Sequence, residues 1–157
     1  MVEILQRKVI AASVSGSVYN VLLALIWPDP WVNNFESVQS YLFSAMTSIP
    51  IYMIYSIPAI FVYGILTSVL SDKIGGLVSV LLRVNRAEFI VSAALHIVFG
   101  LILLWFSLGA ALLFFITDRI LLVLDKEYDW ASSLKSLAIP IATWLLFLAV
   151  IWGAELL

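Results

Sequence analysis

The sequence predicts an all-α integral membrane protein. The expected architecture is a compact bundle of five transmembrane helices, or alternatively four, plus one short interfacial amphipathic helix. Three observations carry this. Hydrophobic residues make up 64% of the chain and charged residues 11%, against roughly 45–50% and about 25% in soluble domains. Mean hydropathy is +1.12. The apolar residues also come in uninterrupted runs long enough to cross roughly 30 Å of hydrocarbon. All 157 residues are read as one transmembrane domain, with spans near 9–27, 41–70, 87–106, 108–124 and 137–155.

The first span follows Arg7 and Lys8 and runs from Val9 to Trp27. Its apolar stretch has full spanning length, and further spans follow it. It therefore reads as a transmembrane helix rather than a cleaved leader. Pro28-Asp29-Pro30 stops it, since proline cannot continue a helix and restricts its predecessor. Residues 28–39 are polar and read as a loop. The second span, 41–70, is longer than one crossing needs and holds Pro50 and Pro58. Each proline frees a carbonyl one turn earlier. The break is either a structural kink or a functional interruption of the kind that lines transporter sites.

Ser71-Asp72-Lys73 closes that span. Beyond it, Ile74, Leu77, Val78, Leu81 and Leu82 fall at i, i+3, i+4, i+7 and i+8, one face of a helix. Flanked by Lys73, Arg83 and Arg86, this stretch reads as a short helix on the membrane surface. The alternative is an apolar connector packed on the bundle.

The stretch Phe89 to Leu124 is about 36 residues, or roughly 54 Å as helix. That is too long for one crossing and slightly short for two. Ser107-Leu108-Gly109 is the expected turn. With a hairpin there, all eight Lys and Arg fall on the N-terminal side of the membrane, as the positive-inside rule favours. Trp27, Trp31, Trp105 and Trp152 then collect at the opposite interface. Five spans with a cytoplasmic N-terminus follow. The last span begins near Leu137.

Two faces and one polar pair stand out. Ser13, Gly16, Ser17 and Asn20, with Ala24, lie along one side of the first helix. Small residues let membrane helices approach closely, so this is a packing face first, a solute path or homo-oligomer contact second. Ala138, Ala142, Ala149 and Gly153 form a similar stripe on the last helix. His96, Asp118 and Arg119 are ionisable residues in apolar surroundings, where they are costly and mark function by default. Arg119 can snorkel to the surface. His96 and Asp118 stand eleven residues either side of the expected turn, at equal depth. They form the candidate buried polar site together with Tyr55 and Ser56 of the interrupted span. A hydrogen bond locking the hairpin and a proton-linked or ligand-binding site are the two readings.

Much else is excluded. The formal charge is −2, without the basic patch of a nucleic-acid binder. With no cysteine and one histidine, there are no disulfides, thiolate metal sites or all-histidine zinc sites. No HExxH, GxSxG or P-loop occurs. Asp125, Glu127 and Asp129, interleaved with Lys126 and Lys135, read as a solvated segment. No catalytic residue, metal or cofactor is expected, and no enzyme.

The run Ile49-Pro50, Tyr55, Pro58, Tyr63-Gly64, Thr67-Ser68, Ser71-Asp72, with Leu95-His96, Phe99-Gly100, Phe114-Phe115 and Asp118-Arg119, resembles a family of small multi-pass membrane proteins of Gram-positive bacilli. The resemblance covers roughly residues 45–124. It implies a bacterial plasma-membrane location and carries no function with it. The expected partners are the lipid bilayer and either another membrane protein or a second copy. Two roles compete: an interaction, immunity or accessory subunit, and a subunit of a small-solute or ion transporter or channel working through the kinked second helix and His96 and Asp118.

Overall fold

The computed structural model describes residues 2–31, 34–102, 104–124 and 127–156. Every regular element among them is helical. Helix α1 spans Val2–Ile26 and α2 Val38–Ala59. A single π-helical turn, Ile60–Gly64, joins α2 to α3, Ile65–Leu82. Then come α4 (Asn85–Leu101), α5 (Leu104–Val123), the short α6 (Trp130–Ser136) and α7 (Ala138–Glu155). Four helices are long and apolar enough to cross a membrane: α1, the continuous α2–α3 rod, α5, and α6–α7 taken together.

The α2–α3 rod runs 45 residues, roughly 67 Å. Pro50 and Pro58 sit inside it without ending it. The π turn begins two residues after Pro58. A proline removes one rung of the hydrogen-bond ladder, and a local widening is a common way to absorb the defect. The segment 74–82, expected as a separate surface helix, is helical as its spacing implies. It is however the end of this rod. Its packed face is set by Gly75, where a β-carbon would stand 2.8 Å from the Glu88 carbonyl oxygen of α4. Leu77, Leu81 and Leu82 point away from the bundle, Leu81 being 80% exposed. A backbone-to-backbone approach through glycine outranks the apolar stripe.

Arg83 reverses the chain with φ 55°, a left-handed conformation that costs a non-glycine residue about 1 kcal/mol or more. Ser79 stabilises the reversal by donating its hydroxyl to the Val84 carbonyl at 3.1 Å. Helix α4 then returns along α3. The next reversal lies between Leu101 and Leu104, not at Ser107–Gly109, which fall inside α5. The small residues there serve packing. A β-carbon on Gly100 would meet that of Ala111 at 2.9 Å and Leu108 Cα at 3.2 Å, and one on Gly109 would touch the Tyr19 ring at 3.4 Å. In membrane helices glycine is more often a contact point than a stop. Helix α4 therefore has only 17 residues, roughly 25 Å.

The C-terminal end of α1 shows how exposed carbonyls are satisfied. Helix α2 supplies donors in register: Tyr41 Oη to Leu25 O, Ser48 Oγ to Pro28 O, and Tyr52 Oη to Trp27 O at 2.8 Å. At the other end, α6 docks on α1 through Ser133 Oγ to Gln6 O at 3.0 Å and Ser13 Oγ to Ser136 Oγ at 3.1 Å. Helix α7 packs on α2 through Trp144 and Phe147, with Trp144 Nε1 donating to Pro50 O at 3.3 Å. Its small-residue stripe is not the contact. Ala138, Ala142 and Ala149 are exposed and Gly153 has nothing near it. Bulky rings that fill the groove decide the face. Of the acidic segment, Asp125 and Lys126 lie outside the described residues, as do Val32 and Asn33 of the first loop.

Candidate functional site

Four helices converge on one charged cluster. Helix α1 contributes Arg7 and Lys8, α3 Ser68 and Asp72, α4 Ser92 and His96, α5 Asp118 and Arg119. On α3 and α4 the paired residues are four apart, so both point the same way. The antiparallel return of α4 along α3 brings the two pairs face to face.

Lys8 is the centre. It is 0% exposed. Its ammonium has three N–H donors, and all three are used: Ser68 Oγ at 2.6 Å, Asp72 Oδ2 at 2.6 Å and Asp118 Oδ2 at 2.7 Å. Asp118, also 0% exposed, accepts a second bond from Arg7 Nε at 2.9 Å. Asp72 Oδ1 accepts from Ser92 Oγ at 2.9 Å and from Arg119 Nη2. Arg119 Nη2 also donates to Ser92 Oγ at 2.9 Å, and its guanidinium lies 5.1 Å from the Phe115 ring centre. Charges buried this deeply persist only when paired and hydrogen-bonded.

His96 joins the cluster through Ser68. Its Nδ1 lies 2.8 Å from the Ser92 carbonyl oxygen, which can only accept, so Nδ1 carries the proton. In the neutral ring Nε2 is then the acceptor, 3.1 Å from Ser68 Oγ. The Ser68 hydroxyl donates to His96 and accepts from Lys8. Phe114 and Phe115 flank the imidazole, with ring centres 6.5 and 5.0 Å away.

Two cavities flank the cluster along the helix axes. One, of about 290 Å³, reaches His96 and Thr67 and is walled by Tyr19, Tyr52, Tyr55, Ser56 and Tyr63. Four of those five hydroxyls are tied down: Tyr19 Oη donates to Phe106 O at 2.7 Å, Tyr52 Oη to Trp27 O at 2.8 Å, Ser56 Oγ to Asn20 Oδ1 at 2.7 Å and Tyr63 Oη to Phe99 O at 3.0 Å. The other, a groove of about 960 Å³, reaches Arg7, Asp72 and Arg119 from the far side.

The residues singled out from sequence divide as follows. His96 and Asp118 are both buried in the cluster, but they do not bond to each other; Ser68 and Lys8 stand between them. The equal-depth pairing fails because the reversal comes several residues before Ser107. Tyr55 is 76% exposed at the cavity rim. Ser56 lines the same cavity and donates to Asn20 Oδ1 at 2.7 Å. Ser13, Gly16, Ser17 and Asn20 are all buried. Gly16 faces Ile57, where a β-carbon would come within 2.9 Å of Cδ1. Asn20 donates to the Gly16 carbonyl of its own helix at 2.7 Å. Arg119 does not snorkel free; it pairs with Asp72.

Sequence reasoning passed over Arg7, Lys8, Ser68, Asp72 and Ser92. The two basic residues read as a flank and Asp72 as a stop. The available signal was the i, i+4 spacing of Ser68 with Asp72 and of Ser92 with His96. Among the described residues no group of three or more His, Asp or Glu is placed to hold a metal ion. Compared with known protein families, curated proteins and solved structures, the chain matches none.

Proposed function

We propose that this chain is a non-enzymatic, multi-pass protein of a bacterial plasma membrane that carries out proton-linked movement of a small solute or ion. In this reading the N-terminus is cytoplasmic and the chain crosses five times, α4 being a short third crossing added to the four long apolar ones. The antiparallel run of α4 between α3 and α5 supports five crossings, and the one-sided distribution of Lys and Arg supports the orientation.

The observation that carries the functional reading is an unbroken hydrogen-bonded chain between two cavities. It runs from His96 Nε2 through Ser68 Oγ and Lys8 Nζ to Asp72 Oδ2, with links of 3.1, 2.6 and 2.6 Å. A proton arriving from the tyrosine-walled cavity binds His96 Nε2 once the Ser68 hydroxyl turns aside. Three short transfers then follow together. Lys8 gives a proton to Asp72, Ser68 gives its hydroxyl proton to Lys8, and His96 gives its new proton to Ser68. The products are neutral His96, intact Ser68 and Lys8, and a protonated Asp72 that faces the opposite groove. One proton has moved and every other group is restored. The two volumes, about 290 and 960 Å³, sit near the lower and upper edges of the range for small ligands, about 300–1,000 Å³.

The test is proton flux into proteoliposomes under an imposed potassium diffusion potential, read with an enclosed pH dye. Wild-type flux that disappears in His96→Phe supports the proposal. Wild-type vesicles no leakier than empty ones contradict it. A second reading, an interaction or accessory subunit, draws on the α3–α4 tip, where Leu77, Val80, Leu81 and Val84 are all exposed. It gains if flux is absent and a partner protein copurifies from native membranes.

A further inference from the structure

The tyrosine-walled cavity has a one-sided chemistry. Seven hydroxyls line it, and six of them have spent their protons on the protein. Tyr19, Tyr52 and Tyr63 donate to backbone carbonyls and Ser56 to Asn20 Oδ1. Thr67 Oγ1 donates to Tyr63 O at 2.8 Å, and Ser107 Oγ donates to Gly100 O. A hydroxyl used in this way offers only lone pairs to an occupant. The seventh, on Tyr55, stands at the exposed rim. Among the described residues no Asp, Glu, Lys or Arg lines the cavity.

In the proposed topology the cavity lies inside the hydrocarbon. Tyr52 bonds Trp27 O at the outer interface. Thr67, at the inner end, comes fifteen residues later in the α2–α3 rod, at most roughly 22 Å deeper in a core of roughly 30 Å. Helix α2 packs on α1 and α7, whereas α4 packs on α3 and α5. The thin wall is therefore the one between α2 and α4, and Tyr55 and Ala59 are exposed along it. An occupant enters sideways, from the lipid.

We infer that this cavity binds a neutral, membrane-soluble phenol, with its ring among the aromatic side chains and its hydroxyl donating to the inward lone pairs. The lining excludes the other classes. An anion meets lone pairs and no basic side chain. A cation finds ring faces, which attract it, but no carboxylate. Behind His96 and Ser68 it also meets a cluster in which Arg7, Lys8 and Arg119 outnumber Asp72 and Asp118 by one charge. A plain hydrocarbon fills the space and leaves the lone pairs unanswered. A phenol answers both needs, since ring pairs in offset or edge contact gain beyond their buried area. The volume of about 290 Å³ suits a ligand of a few rings. The inference concerns what occupies the cavity and not proton movement, so either can fail alone.

The full-length protein is reconstituted into nanodiscs and dialysed to equilibrium at neutral pH, with no proton gradient, against 1-naphthol, 1-methoxynaphthalene or a naphthyl trimethylammonium ion. Saturable binding above the linear partition into protein-free discs reports the site. The expected result is that 1-naphthol binds about fivefold tighter than its methyl ether, the factor that one neutral hydrogen bond is worth. The ether keeps the rings and has no proton to donate. Ala59→Trp blocks the mouth without removing a hydroxyl, so it abolishes saturable naphthol binding while keeping the wild-type melting midpoint. If that midpoint moves, Leu23→Trp on the α1 wall takes its place. Equal binding of naphthol and ether by the wild type, or no saturable binding of naphthol, overturns the inference. So does undiminished naphthol binding in the blocked cavity, or tighter binding of the ammonium ion than of naphthol.

Discussion

Replacing Asp118 with asparagine tests the cluster at its most buried point. The carboxylate accepts from Lys8 Nζ at 2.7 Å and from Arg7 Nε at 2.9 Å. Asparagine keeps the shape but loses the charge, and its amide N–H₂ has only donors to face. The cluster's surplus rises from one positive charge to two. Hydrogen bonds to charged groups contribute about 1.5–3 kcal/mol each, and breaking a buried ion pair costs about 3–5 kcal/mol. The expected loss is therefore about 3–5 kcal/mol. The decisive variant is the double one. Lys8→Met with Asp118→Asn returns the surplus to one and removes the Lys8 donor, leaving only Arg7 Nε to face the new amide. It should be more stable than the sum of the two single changes by about 1–3 kcal/mol, the usual range for contacting residues. Denaturant unfolding in detergent, followed by tryptophan fluorescence, measures all four proteins. Additivity within about 0.5 kcal/mol would refute the network, because it would mean that Lys8 and Asp118 do not act on one another.

Gly16→Leu forces a side chain toward Ile57 and should cost about 1–3 kcal/mol, as overpacking does; an unchanged melting midpoint would count against close α1–α2 packing. Gly75→Ala should be worse than Gly16→Ala, because the obstruction at 2.8 Å is the Glu88 backbone carbonyl and not a flexible side-chain end. Asp129 caps α6 by accepting from the Ser132 amide at 2.8 Å, and hydrogen bonding to Ser132 holds its carboxyl below the usual carboxylate range. Its stabilising effect is therefore present above the ordinary aspartate pKa and is lost as pH falls through the lowered one. Amide protection at Ser132 and Ser133, taken relative to the intrinsic exchange rate at each pH, should fall only in acid; a loss of protection near neutrality would contradict this. Cysteines at Asn34 and Leu156 should react with an impermeant reagent applied outside cells and one at Ser132 should not, and the reverse pattern would invert the orientation.

Composition alone announces the helical bundle, and most of its boundaries follow from it. Pro28-Asp29-Pro30 ends α1 as expected, and the start of the last helix near Leu137 is visible in the apolar run. Three features stay hidden for physical reasons. The α2–α3 rod passes through two prolines, because a π turn absorbs the lost rung. The α4–α5 reversal precedes Ser107, because glycine there makes contacts instead of ending a helix. Lys8 and Asp72 look like surface punctuation, since a charge at the edge of an apolar run is normally solvated. Only the placement of α3 and α5 beside α1 shows that the two residues meet. His96 and Asp118 were legible as buried polar residues on adjacent helices. Their connection through Ser68 and Lys8 was not, because it depends on a register that no spacing encodes.

The proposed path has to pass through the Ser68 hydroxyl. That group can be removed with the two carboxylates and three cations left in place. Proton flux should be measured in proteoliposomes of the wild type, Ser68→Ala and Ser68→Thr. The account predicts flux in the wild type and in the threonine variant, which keeps a hydroxyl at the same branch, and none above background in the alanine variant. Flux through Ser68→Ala at the wild-type rate would contradict it.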